Sequence, residues 1–257
     1  MDNWLPPHFA AVLLVAGATS QALAKKMKNE LSKRLLGAAD TGDLQEIKNL
    51  VEEGADLDYR DQYGNSPLSN AGWKGHIEAV KLLHELGADL NQPCYEDSSL
   101  IMHAAFNAQM EIVRFYLENG ADPNQTNPEN GETLLHTTIS KTNQPKRTEL
   151  VTLFVDAGAD VNAKTIPGKE TGCFMRDAFL KGETPLHRAA AYGDKDMINA
   201  LLKAGADPST KDANGDTPIS WGSWHLRPLD VLGLLLYGEV PGWHGCPNPN
   251  LDGKDLS

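Results

Sequence analysis

Cysteine is scarce in this chain of 257 residues: Cys94, Cys173 and Cys246 are far apart, with no C-x-x-C pair. An odd, scattered set gives no disulfide framework and no zinc-ligand spacing. His244 and Cys246 are neighbours, but two ligands without a second pair do not make a metal site. Basic charge is also short, with 23 Lys and Arg against 35 Asp and Glu and a net charge of −12. That balance disfavours nucleic acid, which is bound through basic surfaces, and suits a partner protein with a basic surface. Acidity that serves solubility alone is the plainer alternative. The first 24 residues hold no Lys or Arg, and their apolar run Phe9–Ala16 has eight residues, where a bilayer span needs about 20. Catalytic signatures are missing as well: the chain has no Gly-x-Ser-x-Gly, no phosphate-binding glycine loop and no His-Glu-x-x-His. No cofactor is expected.

What the chain does have is a repeat. Gly-Ala-Asp recurs at Gly54, Gly87, Gly120, Gly158 and Gly205; the first two steps are 33 residues each, the next two 38 and 47, and Gly238 follows Gly205 at 33 again. A fixed period of this size means stacked supersecondary units. The fullest copy, Gly182-Glu183-Thr184-Pro185-Leu186-His187-Arg188-Ala189-Ala190, reads G-x-T-P-L-H-x-A-A. Degraded copies lie in register at Ser66-Pro67-Leu68-Ser69, Ser99-Leu100-Ile101-Met102, Thr133-Leu134-Leu135-His136 and Thr217-Pro218-Ile219-Ser220.

Period and motif together resemble the ankyrin repeat, over roughly residues 31–238. The resemblance implies an all-α solenoid of about six helix–turn–helix units joined by β-hairpin-like loops. The expected units are about 31–60, 61–93, 94–126, 127–164, 165–211 and 212–238, after an N-terminal segment 1–30 and before an irregular tail 239–257. Local rules build each one. Thr184 caps a helix Pro185–Tyr192 with proline in its first turn, and Gly193 ends it with φ > 0. A second helix, Asp196–Lys203, carries Met197, Ile198, Leu201 and Leu202 on one side. No single helix pair buries its apolar face alone, so the core must run from unit to unit. His136 and His187 are expected to hydrogen-bond within and between repeats, and His103 to be exposed. The five Gly-Ala-Asp carboxylates belong to turns rather than to a site.

In the first unit Lys33-Arg34-Leu35-Leu36 stands where the Thr-Pro opening should be, as befits a cap. In the sixth, Leu226-Arg227-Pro228 replaces the glycine break. The N-terminus has two readings. Phe9–Ala16 followed by Ala22-Leu23-Ala24 is laid out like a secretory signal peptide; the rival is a helix from Pro7 to about Leu36 covering the first repeat. A cytoplasmic location is favoured, with export to the periplasm or outside the cell as the alternative if residues 1–24 are a signal peptide.

By resemblance, partners bind along the exposed side of the first helices and at the hairpin tips. The two positions after the small-residue step of each first helix hold Asp40 and Thr41, Trp73 and Lys74, Phe106 and Asn107, Ser140 and Lys141, Ala191 and Tyr192, Trp224 and His225. Rings at wet positions have no local structural reason, and aromatics are enriched in binding hot spots. The tips add Arg60, Gln62, Tyr63, Tyr95 and Glu96. Two insertions account for the long steps. One places four residues between helices within Thr142–Arg147 and one in the hairpin Asn127–Asn130; the other puts fourteen into a loop of about Lys164–Lys181. That loop carries Cys173, Phe174, Met175, Phe179 and Leu180, an apolar content typical of contact sites. The functional expectation is a monomeric, non-catalytic module that binds one partner protein as adaptor, inhibitor or regulator. The alternative is an enzyme or enzyme subunit whose site the 164–181 loop completes with a partner.

Overall fold

The computed structural model describes residues 7–92, 99–139, 145–171 and 182–238, and for residues 7–20 the helical backbone alone. Tyr95, Glu96, Ser140, Lys141, the 172–181 stretch with Cys173, Phe174, Met175, Phe179 and Leu180, and the tail 239–257 lie outside the described residues. The chain divides into two compact units, Met1–Glu96 and Asp97–Ser257.

The first unit holds α1 (Pro7–Thr41), α2 (Leu44–Glu52), α3 (Pro67–Lys74) and α4 (Ile77–Glu85). There α1 packs on α3 and α2 on α4, so opening helices form one row and closing helices a second. The second unit repeats this with α5 (Leu100–Phe106), α6 (Met110–Glu118), α7 (Leu134–Thr138), α8 (Pro145–Asp156), α9 (Pro185–Tyr192), α10 (Lys195–Lys203), α11 (Pro218–Trp224) and α12 (Leu229–Tyr237). Its opening row runs α5, α7, α9, α11 and its closing row α6, α8, α10, α12. Between the rows lies an apolar core that includes Leu134, Leu135, Val151, Phe154, Leu186, Ile198 and Leu201, all essentially inaccessible.

Helix starts follow the sequence closely. Ser66, Thr133, Thr184 and Thr217 each precede an opening helix in a capping box with the residue three positions on. Losing one such cap costs about 1 kcal/mol. Asp43 and Asp194 cap closing helices α2 and α10 by accepting from the backbone N–H of Glu46 and Met197. Asp56, Asp89, Asp122, Asp160 and Asp207 each accept a backbone N–H from two residues ahead, which makes them turn-formers as expected. The loops between units are turns. Among the described residues the pairing that resembles a strand is one isolated antiparallel bridge, Thr126 to Thr133.

Several expectations need correction. The terminal helix does not stop near Leu36 but runs unbroken to Thr41, with Leu35 and Ala39 fully buried. Gly193 has φ −69°, not a left-handed value. It is needed for space, because a Cβ there would lie 2.8 Å from the Ala189 carbonyl oxygen and 2.9 Å from Met197 Sδ. Gly205, by contrast, does take a positive φ of 91° at the end of α10. Part of the Thr142–Arg147 insertion is not a loop: Pro145–Arg147 forms the first turn of α8, which has 12 residues where its sister closing helices α6 and α10 have 9. His103 is half-buried rather than exposed.

Ala108 and Leu226 stand where the break glycine is expected, and the backbone adopts its conformation regardless, with φ 54° and 50°. A non-glycine residue pays about 1–2 kcal/mol for that region. Leu226 is also 90% exposed, so its side chain returns little burial. Leu226→Gly is expected to raise the melting temperature by about 2–4 °C. A lower melting temperature by calorimetry would contradict this account.

Candidate protein-binding surface

The residues singled out at the ends of the opening helices separate into two kinds. In the first unit, Trp73 on the last turn of α3 is 49% exposed and Tyr63 at the preceding turn is 63% exposed. Asp61 builds that turn by accepting from the backbone N–H groups of Tyr63 and Asn65, which leaves the Tyr63 ring at the tip. Lys74 lies 3.5 Å from Asp40 at the end of α1. Arg60 is not simply a tip residue: its guanidinium donates to the Gly64 carbonyl at 3.0 Å and to Gln92 Oε1 at 3.2 Å.

In the second unit, Trp224 at the end of α11 is 54% exposed. Phe106, Tyr192 and His225 are half-buried, against the expectation that such positions are wet. The reason for Tyr192 and His225 is local, since their rings meet edge to face with centroids 5.0 Å apart. His225 titrates below the usual histidine range because of burial and the nearby Arg227 cation, so it is a neutral ring at pH 7. Asn107 is exposed and donates its side-chain amide to the His103 carbonyl at 3.1 Å.

The histidine column behaves as expected. His136 Nδ1 accepts from the Thr133 backbone N–H at 3.2 Å, and its Nε2 donates to the Glu183 carbonyl of the following repeat at 3.1 Å. His187 does the same with Thr184 at 3.2 Å and the Asp216 carbonyl at 3.1 Å. The acceptor role of Nδ1 in both fixes the neutral Nε2–H tautomer.

Sequence reasoning missed a buried ionic cluster in the second unit. Arg188, fully buried on α9, donates from Nη2 to Glu132 and Glu183, each at 2.6 Å, and from Nη1 to the His136 carbonyl at 2.8 Å. The available signal was Gly-Glu-Thr, which occurs at 131–133 and again at 182–184. A second device was equally visible as Asp-x-Asn. Asn124 accepts from the Asp160 N–H at 2.7 Å and donates to the Gly158 carbonyl at 3.2 Å. Asn162 repeats both contacts with Asp207 and Gly205. A third pairs arginines, Arg147 buried and Arg227 half-buried, with carbonyls at the ends of opening helices. Arg147 reaches those of Thr138 and Phe106, and Arg227 those of Ala191 and Gly193. These groups hold repeats together and present no reactive atom. Among the described residues, no cluster of three or more His, Cys, Asp or Glu is arranged to hold a metal ion. Depressions are open grooves, such as the one of about 450 Å³ between α8 and α10 lined by Thr152, Asp156, Asp196 and Lys203.

The family model for ankyrin repeats, in three copies, matches residues 13–94, 100–212 and 167–241. The chain belongs to the ankyrin-repeat family. Its ankyrin repeats are a protein–protein interaction module, and the family and fold are in general non-catalytic. A stretch of 66 residues is 36% identical to mouse rabankyrin-5, covering 26% of this chain and 6% of that protein. Another of 69 residues is 35% identical to the tyrosine-protein kinase HTK16 of Hydra vulgaris, covering 27% of this chain and 9% of the kinase. The matched ankyrin stretch thus spans less than a tenth of either relative. Among solved structures, an ankyrin repeat domain from Acinetobacter baumannii superposes with a TM-score of 0.66 at 28% identity, over 80% of this chain and 97% of that one. A chain from the structure of a Bdellovibrio bacteriovorus predatory endopeptidase in complex with an immunity protein shares the fold, with a TM-score of 0.60 at 24% identity over 79% of this chain and 97% of that one.

Proposed function

We propose that this ankyrin-repeat chain is a non-catalytic binding module, an adaptor or inhibitor that grips one partner protein through the ends of its opening helices. The observation that carries this reading is the matched exposure of Trp73 and Trp224, 49% and 54%, at equivalent repeat positions in the first and second units. The same repeat position holds Ser140 and Ala191 in other units, and large rings at the surface are the residues most enriched in hot spots. Tyr63 and Lys74 in the first unit, and Phe106, Asn107, Tyr192 and His225 in the second, are further contacts, as are Tyr95, Lys141 and the loop residues Phe174, Met175 and Phe179. The net charge of −12 favours a partner whose contact surface is basic.

Photo-crosslinking from positions 73 and 224, with positions 48 and 149 on closing helices as controls, identifies the partner. Calorimetry with that purified partner then tests the surface. Trp73→Ala and Trp224→Ala are each expected to weaken binding by about tenfold or more, a hot-spot effect of about 1.4 kcal/mol. A partner that crosslinks only from 48 or 149, or binds the double variant as tightly as the wild type, would overturn the assignment.

A further inference from the structure

The opening helix α1 is far longer than repeat packing requires. Its C-terminal turns are buried through Ser32, Leu35, Ala38 and Ala39, whereas every residue from Gln21 to Glu30 is exposed. Leu23 and Met27, one helical turn apart, are 60% and 61% exposed. Helices are stabilised in water mainly by packing an amphipathic face, and no side chain of this stretch is buried.

Its charge is opposite to that of the chain. Lys25, Lys26, Lys28, Lys33 and Arg34 surround a single acid, Glu30, in a protein of net charge −12. Lys28 is 3.1 Å from Asp56 and Arg34 is 2.7 Å from Glu46. Among the described residues, Lys25, Lys26 and Lys33 have no carboxylate partner. An open groove of about 620 Å³ is lined by Lys25, Lys26, Lys28 and Asn29 of α1 together with Asp56 and Tyr59. At 100° per residue, Leu23, Lys26, Met27, Lys33 and Arg34 fall on one side of the helix, with the single acid Glu30 among them. Toward the N-terminus the same helix continues through a stretch with no charged residue between Asp2 and Lys25. No helix among the described residues is long and apolar enough to cross a membrane.

We propose that α1 is an interfacial helix that docks on an anionic lipid surface. Lys26 and Lys33 meet the headgroups; Leu23 and Met27 enter the boundary with the acyl chains. Charge complementarity calls for an anionic surface, and the continuation of the same helix into a stretch without charged residues selects a bilayer, which offers acyl chains beneath its anionic headgroups. The rest of the molecule, being acidic, stays off the membrane.

The test is co-sedimentation of the full chain with phosphatidylcholine vesicles, with and without phosphatidylglycerol. Partitioning is expected to be at least about tenfold stronger with the anionic lipid and to fall as salt is raised. Lys26→Glu with Lys33→Glu abolishes it, Leu23→Ser with Met27→Ser reduces it, and the charge-matched control Lys48→Glu with Lys203→Glu leaves it intact. Equal partitioning to both vesicles, no partitioning, or equal loss in the control would overturn the proposal. So would lysine-dependent binding of a duplex oligonucleotide without vesicle binding, or a native mass showing that the chain begins beyond Ala24.

Discussion

Arg188→Met is expected to lower the free energy of unfolding by about 3–5 kcal/mol, a large share of what a domain this size possesses. The guanidinium is fully buried, and all three of its nitrogens donate: Nε to Glu183 at 3.1 Å, Nη1 to the His136 carbonyl, Nη2 to both carboxylates. Removing it strands Glu183, itself fully buried, with Thr165 Oγ1 at 2.8 Å as a remaining neutral donor. It also leaves the His136 carbonyl short of a partner, where an orphaned buried acceptor costs about 1–3 kcal/mol. The cation pairs with both carboxylates, so the loss is of compensation rather than of packing volume.

That account makes a second variant decisive. Arg188→Met combined with Glu132→Gln and Glu183→Gln removes the stranded charges together with the cation. It is expected to recover most of the loss, as buried ion clusters replaced as a whole often prove near-neutral. Urea denaturation at pH 7 checks both. A triple variant no more stable than the single one would mean that shape, not charge compensation, sets the cost.

How much of this was legible beforehand depended on whether a feature repeats. The capping residues Ser66, Thr133, Thr184 and Thr217, the Asp corners and the histidine column recur at the period, and each took the position that its spacing implied. Features made by two different repeats meeting were harder. Arg188 sits on α9, but its partners come from the turn carrying Glu132 and the end of the loop carrying Glu183, 56 and 5 residues away. Nothing in a single repeat marks an arginine as buried. The glycine break misled in the other direction, because the left-handed backbone survives at Ala108 and Leu226 without glycine, while Gly193 keeps its glycine for clearance. Exposure was also only half legible. Trp73 and Trp224 stand out in solvent, but Tyr192 and His225, one position later in their repeats, pack on each other, a contact that depends on both residues being rings.

Acidification from pH 7.5 toward 5 is expected to destabilise the protein steeply, and two histidines are the reason. Burial holds His136 well below the usual histidine range, reinforced by the Arg188 cation, although the bond to Glu183 acts the other way. Burial likewise depresses His187, against the bond to Asp216 and the nearby carboxylates Asp212 and Glu183. In the folded state both remain neutral as the pH falls through 6.5, whereas in the unfolded chain both take up a proton there. The unfolded state therefore binds more protons, and stability rises with pH below 6.5 and levels off above it. Each neutral histidine contributes a slope that approaches about 1.4 kcal/mol per pH unit while it resists protonation. Geometry explains the resistance: Nδ1 of each ring is already occupied by a Thr N–H, so a proton there would break the capping box and put two donors face to face. His136→Gln should be less stable than wild type at pH 7.5, through the lost bonds to Thr133 and Glu183, yet should lose less on going to pH 5.5. Unfolding free energies at the two pH values decide the matter, and an equal or larger drop in the variant would remove His136 as the source.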